Sequence, residues 1–208
     1  MSLMSTSRCV AAAFLVAFAA GGAVAEDVKA DKAWVFIGTY TGPKSKGIYR
    51  CEIDLATGKL SAAEVAAETR HPSFLAIHPT KKFLYAVGEF DNFEKKPAGA
   101  VSAFALDAST GKLTALNQKS SVGAGPCHLV VDKTGKCVLV ANYGGGSVAA
   151  LPIGEDGKLG DHTDFHQHKG SSVNKDRQKE PHAHSINVDA SNRFAVAADL
   201  GLDQVLVF

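Results

Sequence analysis

An all-β fold of repeated four-stranded antiparallel units is what this sequence predicts, on three observations. Beyond the first 25 residues, Val, Ile, Leu and Phe fall in short runs between turn signals, without helical periodicity. Three segments share one plan: "HPSFLAIHPTKKFLYAVGEF" from His71, "GPCHLVVDKTGKCVLVANYGGGSVAAL" from Gly125 and "EPHAHSINVDASNRFAVAADLGLDQVLVF" from Glu180. Each has a proline, a short apolar strand, a polar turn and a second apolar strand, and Pro72, Pro126 and Pro181 lie 54 and 55 residues apart. A second element, "IDLATGKLSAA", "LDASTGKLTAL" and "IGEDGKLGD", reads each time as two strands joined by a Gly-containing hairpin turn. Four strands in about 45–55 residues is the signature of a β-propeller blade. A β-sandwich is the alternative, but it does not predict recurrence of one four-strand plan.

Taken in order, the first unit opens with "WVFIGTY", which matches a second strand rather than a first. The second unit is complete, with strands expected over 74–77, 83–89, 100–107 and 113–119. The third follows the same plan, and the fourth stops at Phe208 inside what should be a third strand. The count is about three and a half blades, whereas propellers close with about four to eight. The expectation is therefore the N-terminal part of a longer propeller; a four-blade ring would end mid-strand.

Composition is that of an ordinary globular chain: 208 residues, 46% hydrophobic, 21% charged, with a formal net charge of +1. Lys and Arg are not massed in long runs, which gives no support for a nucleic-acid partner. The N-terminus reads as a signal peptide over residues 1–25. A short polar stretch to Arg8 carries one positive charge, an apolar run reaches Ala25, and Ala23-Val24-Ala25 supplies small residues for cleavage before Glu26. That run is short and rich in Ala and Gly for a bilayer span. The expectation is a mature domain over 26–208, exported to the periplasm or secreted and free of the membrane. It would keep Cys51, Cys127 and Cys137, an odd set that gives no disulfide framework and no paired metal site.

Alternating strand direction sorts the polar residues onto two faces. "HPTKK", "DKTGK", "DASNR" and the Thr-Gly-Lys hairpins fall on one, as structural turns. The other receives His71, His128, His182 and His184 before first strands. It also receives Tyr40, Thr41, Glu89, Asp91, Asn142, Tyr143, Asp199 and Asp203 from the loops after second strands. Varied titratable groups on loops carried by a rigid scaffold make that face the expected ligand site. The long segment "DFHQHKGSSVNKDRQKEPHAHS" feeds it and brings Arg177, a cation suited to forked contact with an anion. Because residues two apart in an extended chain point the same way, His182 and His184 are expected to face the axis together. His-x-His beside His166 and His168 also has the ingredients of a transition-metal site.

"FIGTYT", "GPCHLVVD", "ANYGGGSV", "RQKEPHAHSI" and "AADLGLDQVLVF" together resemble the seven-bladed propeller lactonase family, whose named activity is 6-phosphogluconolactonase, over nearly all of 34–208. The resemblance implies a seven-bladed ring, hydrolysis of a sugar lactone to the open-chain acid in carbohydrate metabolism, and no metal or other cofactor. The family includes relatives similar to muconate-lactonising cycloisomerases, and a propeller can also serve as a non-catalytic binding module, so fold does not fix reaction. Lactone hydrolysis needs a base for water, donors for the oxyanion and a cation for the substrate's anionic group. His182 or His184 is the candidate base, with Glu180 orienting an imidazole or acting as base itself. Arg177 is the candidate anion clamp. Gln178, Asn142, Tyr143, Asp199 and His128 complete the candidate substrate-binding set. Export argues against a phosphorylated substrate, since phosphosugars are cytoplasmic metabolites.

Overall fold

The computed structural model describes residues 31–208; the expected signal peptide lies outside the described residues. Fourteen strands form four antiparallel sheets. Blade 1 holds β1 (Lys32–Ile37), β2 (Gly47–Asp54) and β3 (Glu64–Glu68). Blade 2 holds β4 (Leu75–Ile77), β5 (Phe83–Gly88), β6 (Ala100–Asp107) and β7 (Lys112–Ser120). Blade 3 holds β8 (Pro126–Val131), β9 (Cys137–Asn142), β10 (Ser147–Pro152) and β11 (Asp164–Gln167). Blade 4 holds β12 (Ala183–Val188), β13 (Ala195–Asp199) and β14 (Gln204–Val207). Sheets of three, four, four and three strands make the expected three and a half blades. The innermost strands β4, β8 and β12 are neighbours.

A blade has another blade on each side, so both faces of its inner strands are buried. This is why β5, "FLYAVG", is a continuous apolar run rather than an alternating one. Alternation survives in which neighbour each side chain meets. Leu84 and Ala86 pack with Ile48 of blade 1 and with Phe104 and Leu113. Tyr85 and Val87, pointing the other way, pack with Leu129, Val131, Val138 and Val140 of blade 3. A smaller seam of Ala141, Val148, Ala183, Ile186 and Ala197 joins blades 3 and 4. Truncating one fully buried leucine here, such as Leu84 or Leu129, costs roughly 2–5 kcal/mol.

One face carries the repeated turns. His78, Asp132 and Asp189 each follow the innermost strand of their blade by one residue. Asp132 accepts the backbone N–H groups of Thr134, Lys136 and Cys137, the Thr134 hydroxyl, and an amide N–H of Asn192 in the next blade. Burial opposes its ionisation, but these donors outweigh that and hold its carboxyl at about 2. Asp189 repeats the pattern with Ser191, Arg193 and Phe194. The same face stitches the blades together: Arg50 donates to the Thr110 carbonyl at 2.6 Å, and His78 Nε2 to the Gly135 carbonyl at 2.8 Å.

Candidate active site

On the opposite face, β-bulges at Cys127 and His184 interrupt the innermost strands of blades 3 and 4. The ladders pair Pro126 with Asn142 and Ala183 with Asp199, so these two bulges are structurally equivalent. Counting back from the paired Leu75 places Ser73 at the same position in blade 2. A bulged residue is left out of the ladder and its side chain is re-aimed. Ser73, Cys127 and His184 all line one cavity of about 300 Å³. Aligning the repeats on proline hides this column, because Pro181 lies two residues ahead of Ala183, the true counterpart of Pro126.

A second set of lining residues comes from the loops after the second strands. Glu89 follows β5 and Tyr143 follows β9, at equivalent positions, and Tyr40 follows β1. Arg177 arrives from the long blade 3 to blade 4 connection. Its guanidinium donates to the Tyr143 hydroxyl at 3.1 Å and meets no carboxylate among the described residues. On the other side, Tyr40 donates to Glu89 Oε2 at 2.8 Å and the Ser73 hydroxyl donates to the same oxygen. That bond to Glu89, followed by burial, raises the Tyr40 phenol above its ordinary value. Burial and then the Glu89 charge push the Cys127 thiol up to about 11, so at neutral pH it is an uncharged wall group.

The two histidines do not share one environment. His184 sits on the bulge, exposed to the cavity, with its ring edge-on to Tyr143 at 5.5 Å. His182 precedes β12, stacks on the Tyr143 ring at 4.5 Å and donates Nδ1–H to the Tyr143 carbonyl at 3.0 Å. Simple alternation from 182 to 184 fails because the bulge breaks the strand between Ala183 and Ser185. Gly146 permits the approach of this segment: its φ is +55°, and a Cβ there would meet the Pro181 carbonyl oxygen at 2.4 Å.

The remaining candidates take supporting places. Asn142 is fully buried and donates to the Ser121 carbonyl and the Ser147 hydroxyl. Asp199, equally enclosed, accepts the backbone N–H groups of His182 and Leu202 and holds His168 Nδ1 at 2.6 Å. Gln178 donates to the Leu200 carbonyl at 2.9 Å and accepts the Asn174 N–H at 2.8 Å, fixing the loop that presents Arg177. Glu180 is exposed and lies outside the cavity lining. His128 packs on Phe74 at 4.3 Å, and its Nδ1 accepts the Ile186 N–H. Burial first, then the neighbouring His184, lowers its pKa, so it is neutral at physiological pH. His166 contacts Asp164, and no group of three or more His, Cys, Asp or Glu among the described residues is gathered as a metal site. Ser73 and Cys127 are lining residues that the sequence reading did not place on this face, and Tyr40 and Glu89 were placed on it without a role. The signal for Ser73 and Cys127 was their fixed distance ahead of His78 and Asp132, matching His184 ahead of Asp189.

Residues 34–208 match the family described as lactonase, 7-bladed β-propeller. The chain is 34% identical to a 6-phosphogluconolactonase of Bacillus subtilis, over 83% of this chain and 48% of that protein. A crystal structure of a putative 6-phosphogluconolactonase from Bacteroides fragilis superposes with a TM-score of 0.80 at 38% identity, covering 87% of this chain and 49% of that one. The periplasmic gluconolactonase of Pseudomonas aeruginosa gives 0.76 at 29% identity, over 85% and 49%. The chain thus spans about half the length of the relatives it matches.

Proposed function

The chain belongs to the seven-bladed β-propeller lactonases, and from that premise we propose that it hydrolyses a sugar lactone to the open-chain acid. The observation that carries the reading is the meeting of His184, Tyr143 and an Arg177 without a carboxylate partner in one cavity. A neutral imidazole suits proton transfer near neutral pH, and His184 is the histidine on the cavity wall. It takes a proton from water as the oxygen attacks the ring carbonyl. Arg177 and the Tyr143 hydroxyl supply positive charge and a donor for the oxyanion. When the ring C–O bond breaks, the leaving alkoxide takes the proton back from His184, so one water is consumed and one acid released. His182 and Gln178 act through others here, the first against Tyr143, the second holding the Arg177 loop. Export through residues 1–25 belongs to the same reading and favours an unphosphorylated aldonolactone.

The test is a pH-stat assay of D-glucono-1,5-lactone and its 6-phosphate, corrected for spontaneous ring opening. The expected outcome is enzymatic acid release, faster with the unphosphorylated lactone, and a KM raised at least tenfold in Arg177→Ala. Release no faster than in buffer for both substrates removes the lactonase reading.

A further inference from the structure

One cation and one anion line the same small cavity, and neither is paired. Arg177 meets the Tyr143 hydroxyl and no carboxylate, while Glu89 meets the hydroxyls of Tyr40 and Ser73 and no cation among the described residues. Both hydroxyl donors bond the same atom, Glu89 Oε2, and Oε1 accepts no hydrogen bond among the described residues. Among the other lining residues, Ser73, Tyr40 and a protonated Cys127 carry no charge. A carboxylate oxygen that accepts two hydroxyl donors is fixed in position. An acceptor fixed from behind, with its second oxygen free, is matched to ligand hydroxyl groups. About 300 Å³ is at the small end of ligand pockets, a size for one monosaccharide ring.

We propose that Glu89 is a specificity-determining residue that receives substrate hydroxyls on Oε1, with Tyr40 and Ser73 holding Oε2 in place. The cavity then reads a polyhydroxylated lactone at two ends: the ester, and the carboxylate it becomes, toward Arg177, and the polyol toward Glu89. The inference rests on the lactone reading for its substrate and extends it by naming the residue that reads the hydroxyl groups. The Glu89 charge disfavours a phosphate dianion beside it, and lactones without hydroxyls leave its Oε1 unmatched. Discrimination of this kind, by unsatisfied polar groups, is stronger than any gained from apolar fit.

Equilibrium binding to the whole chain tests this without turnover. Isothermal calorimetry compares D-gluconate, hexanoate, which keeps the carboxylate but lacks hydroxyls, and 6-aminohexanoate, which puts an ammonium at the far end. The wild type is expected to bind gluconate at least tenfold more tightly than either of the others. Glu89→Gln should weaken gluconate about tenfold and leave hexanoate unchanged, and Tyr40→Phe should do the same to a smaller degree. Arg177→Ala should weaken both. Urea midpoints equal to the wild type for Glu89→Gln and Tyr40→Phe exclude misfolding, and Ser73→Ala provides a second route to the same readout. Equal losses for gluconate and hexanoate in Glu89→Gln, no loss for gluconate, or no gluconate binding at all would overturn the proposal. Tighter binding of 6-aminohexanoate than gluconate would overturn it too, making Glu89 a cation site. If no lactone is hydrolysed yet gluconate still depends on Glu89, the catalytic reading falls and the hydroxyl site stands.

Discussion

On the turn face, His78, Asp132 and Asp189 occupy one position in three successive blades and all anchor turns. On the loop face, Ser73, Cys127 and His184 share an equivalent position and do three different things. Ser73 braces a carboxylate, Cys127 closes a wall, and His184 presents an imidazole. Where the job is to end a hairpin, each blade repeats one geometry: an imidazole or carboxylate accepts the backbone N–H two residues on. Where the job is to surround a ligand, each blade sees a different part of it, and the residues diverge. Within one chain, internal repetition therefore marks scaffold, and its loss at an equivalent position marks chemistry.

The difference between the faces can be broken by substitution. The largest effect belongs to the loop face: His184→Gln is expected to slow lactone hydrolysis by about 10²–10⁴-fold, with a urea midpoint equal to the wild type. A parallel fall in stability would show that position to be scaffold after all. Next comes Asp132→Ala on the turn face, which orphans several donors and should cost roughly 2–4 kcal/mol in urea unfolding, leaving KM unchanged in the remaining folded protein.

Acid should separate the faces again. The native Asp132 carboxyl, held at about 2, contributes stability that is complete above its unfolded value near 4 and is lost as pH falls toward 2. His128 works in a higher window. Its native pKa is lowered, so the unfolded chain binds more protons, and stability falls as pH drops through about 6.5. His128→Gln should flatten the fall of melting temperature just below about pH 6.5, while Asp132→Asn should leave that region unchanged. The smallest effect is expected at the exposed Lys119–Asp161 pair, 2.8 Å apart. Lys119→Ala should change stability by no more than about 0.5 kcal/mol.

Much of the fold was legible because strands and turns are local. The strands expected over 83–89 and 100–107 are β5 and β6 almost to the residue, since apolar runs bounded by Thr-Lys-Lys and Thr-Gly-Lys leave little room for error. The blade count followed from the same signals. The cavity was only partly legible. Arg177, Tyr143 and His184 were chosen for their chemistry, and they line it together. Tyr40 and Glu89 were placed on the ligand face without a role, since the bond between them joins two blades, and Ser73 went unassigned because a serine at a strand start looks like a turn residue. Asn142 and Asp199, chosen as polar side chains of the ligand face, are buried, and their partners (the Ser121 carbonyl and Ser147 hydroxyl, the His182 and Leu202 N–H groups and His168) are ones that no linear pattern reveals. His182 and His184 were separated by a bulge, which depends on register with β13 and not on composition.

The bulge carries a consequence for how such a chain can change. Cys127 and His184 stand outside their ladders, so replacing either removes no pairing between strands. Blades 3 and 4 then each offer an interchangeable socket at the rim of the axis, whose contents can be rewritten without renegotiating the architecture beneath. A scaffold with sockets in register explores new ligands one side chain at a time, and its older contacts hold the frame still while it does so.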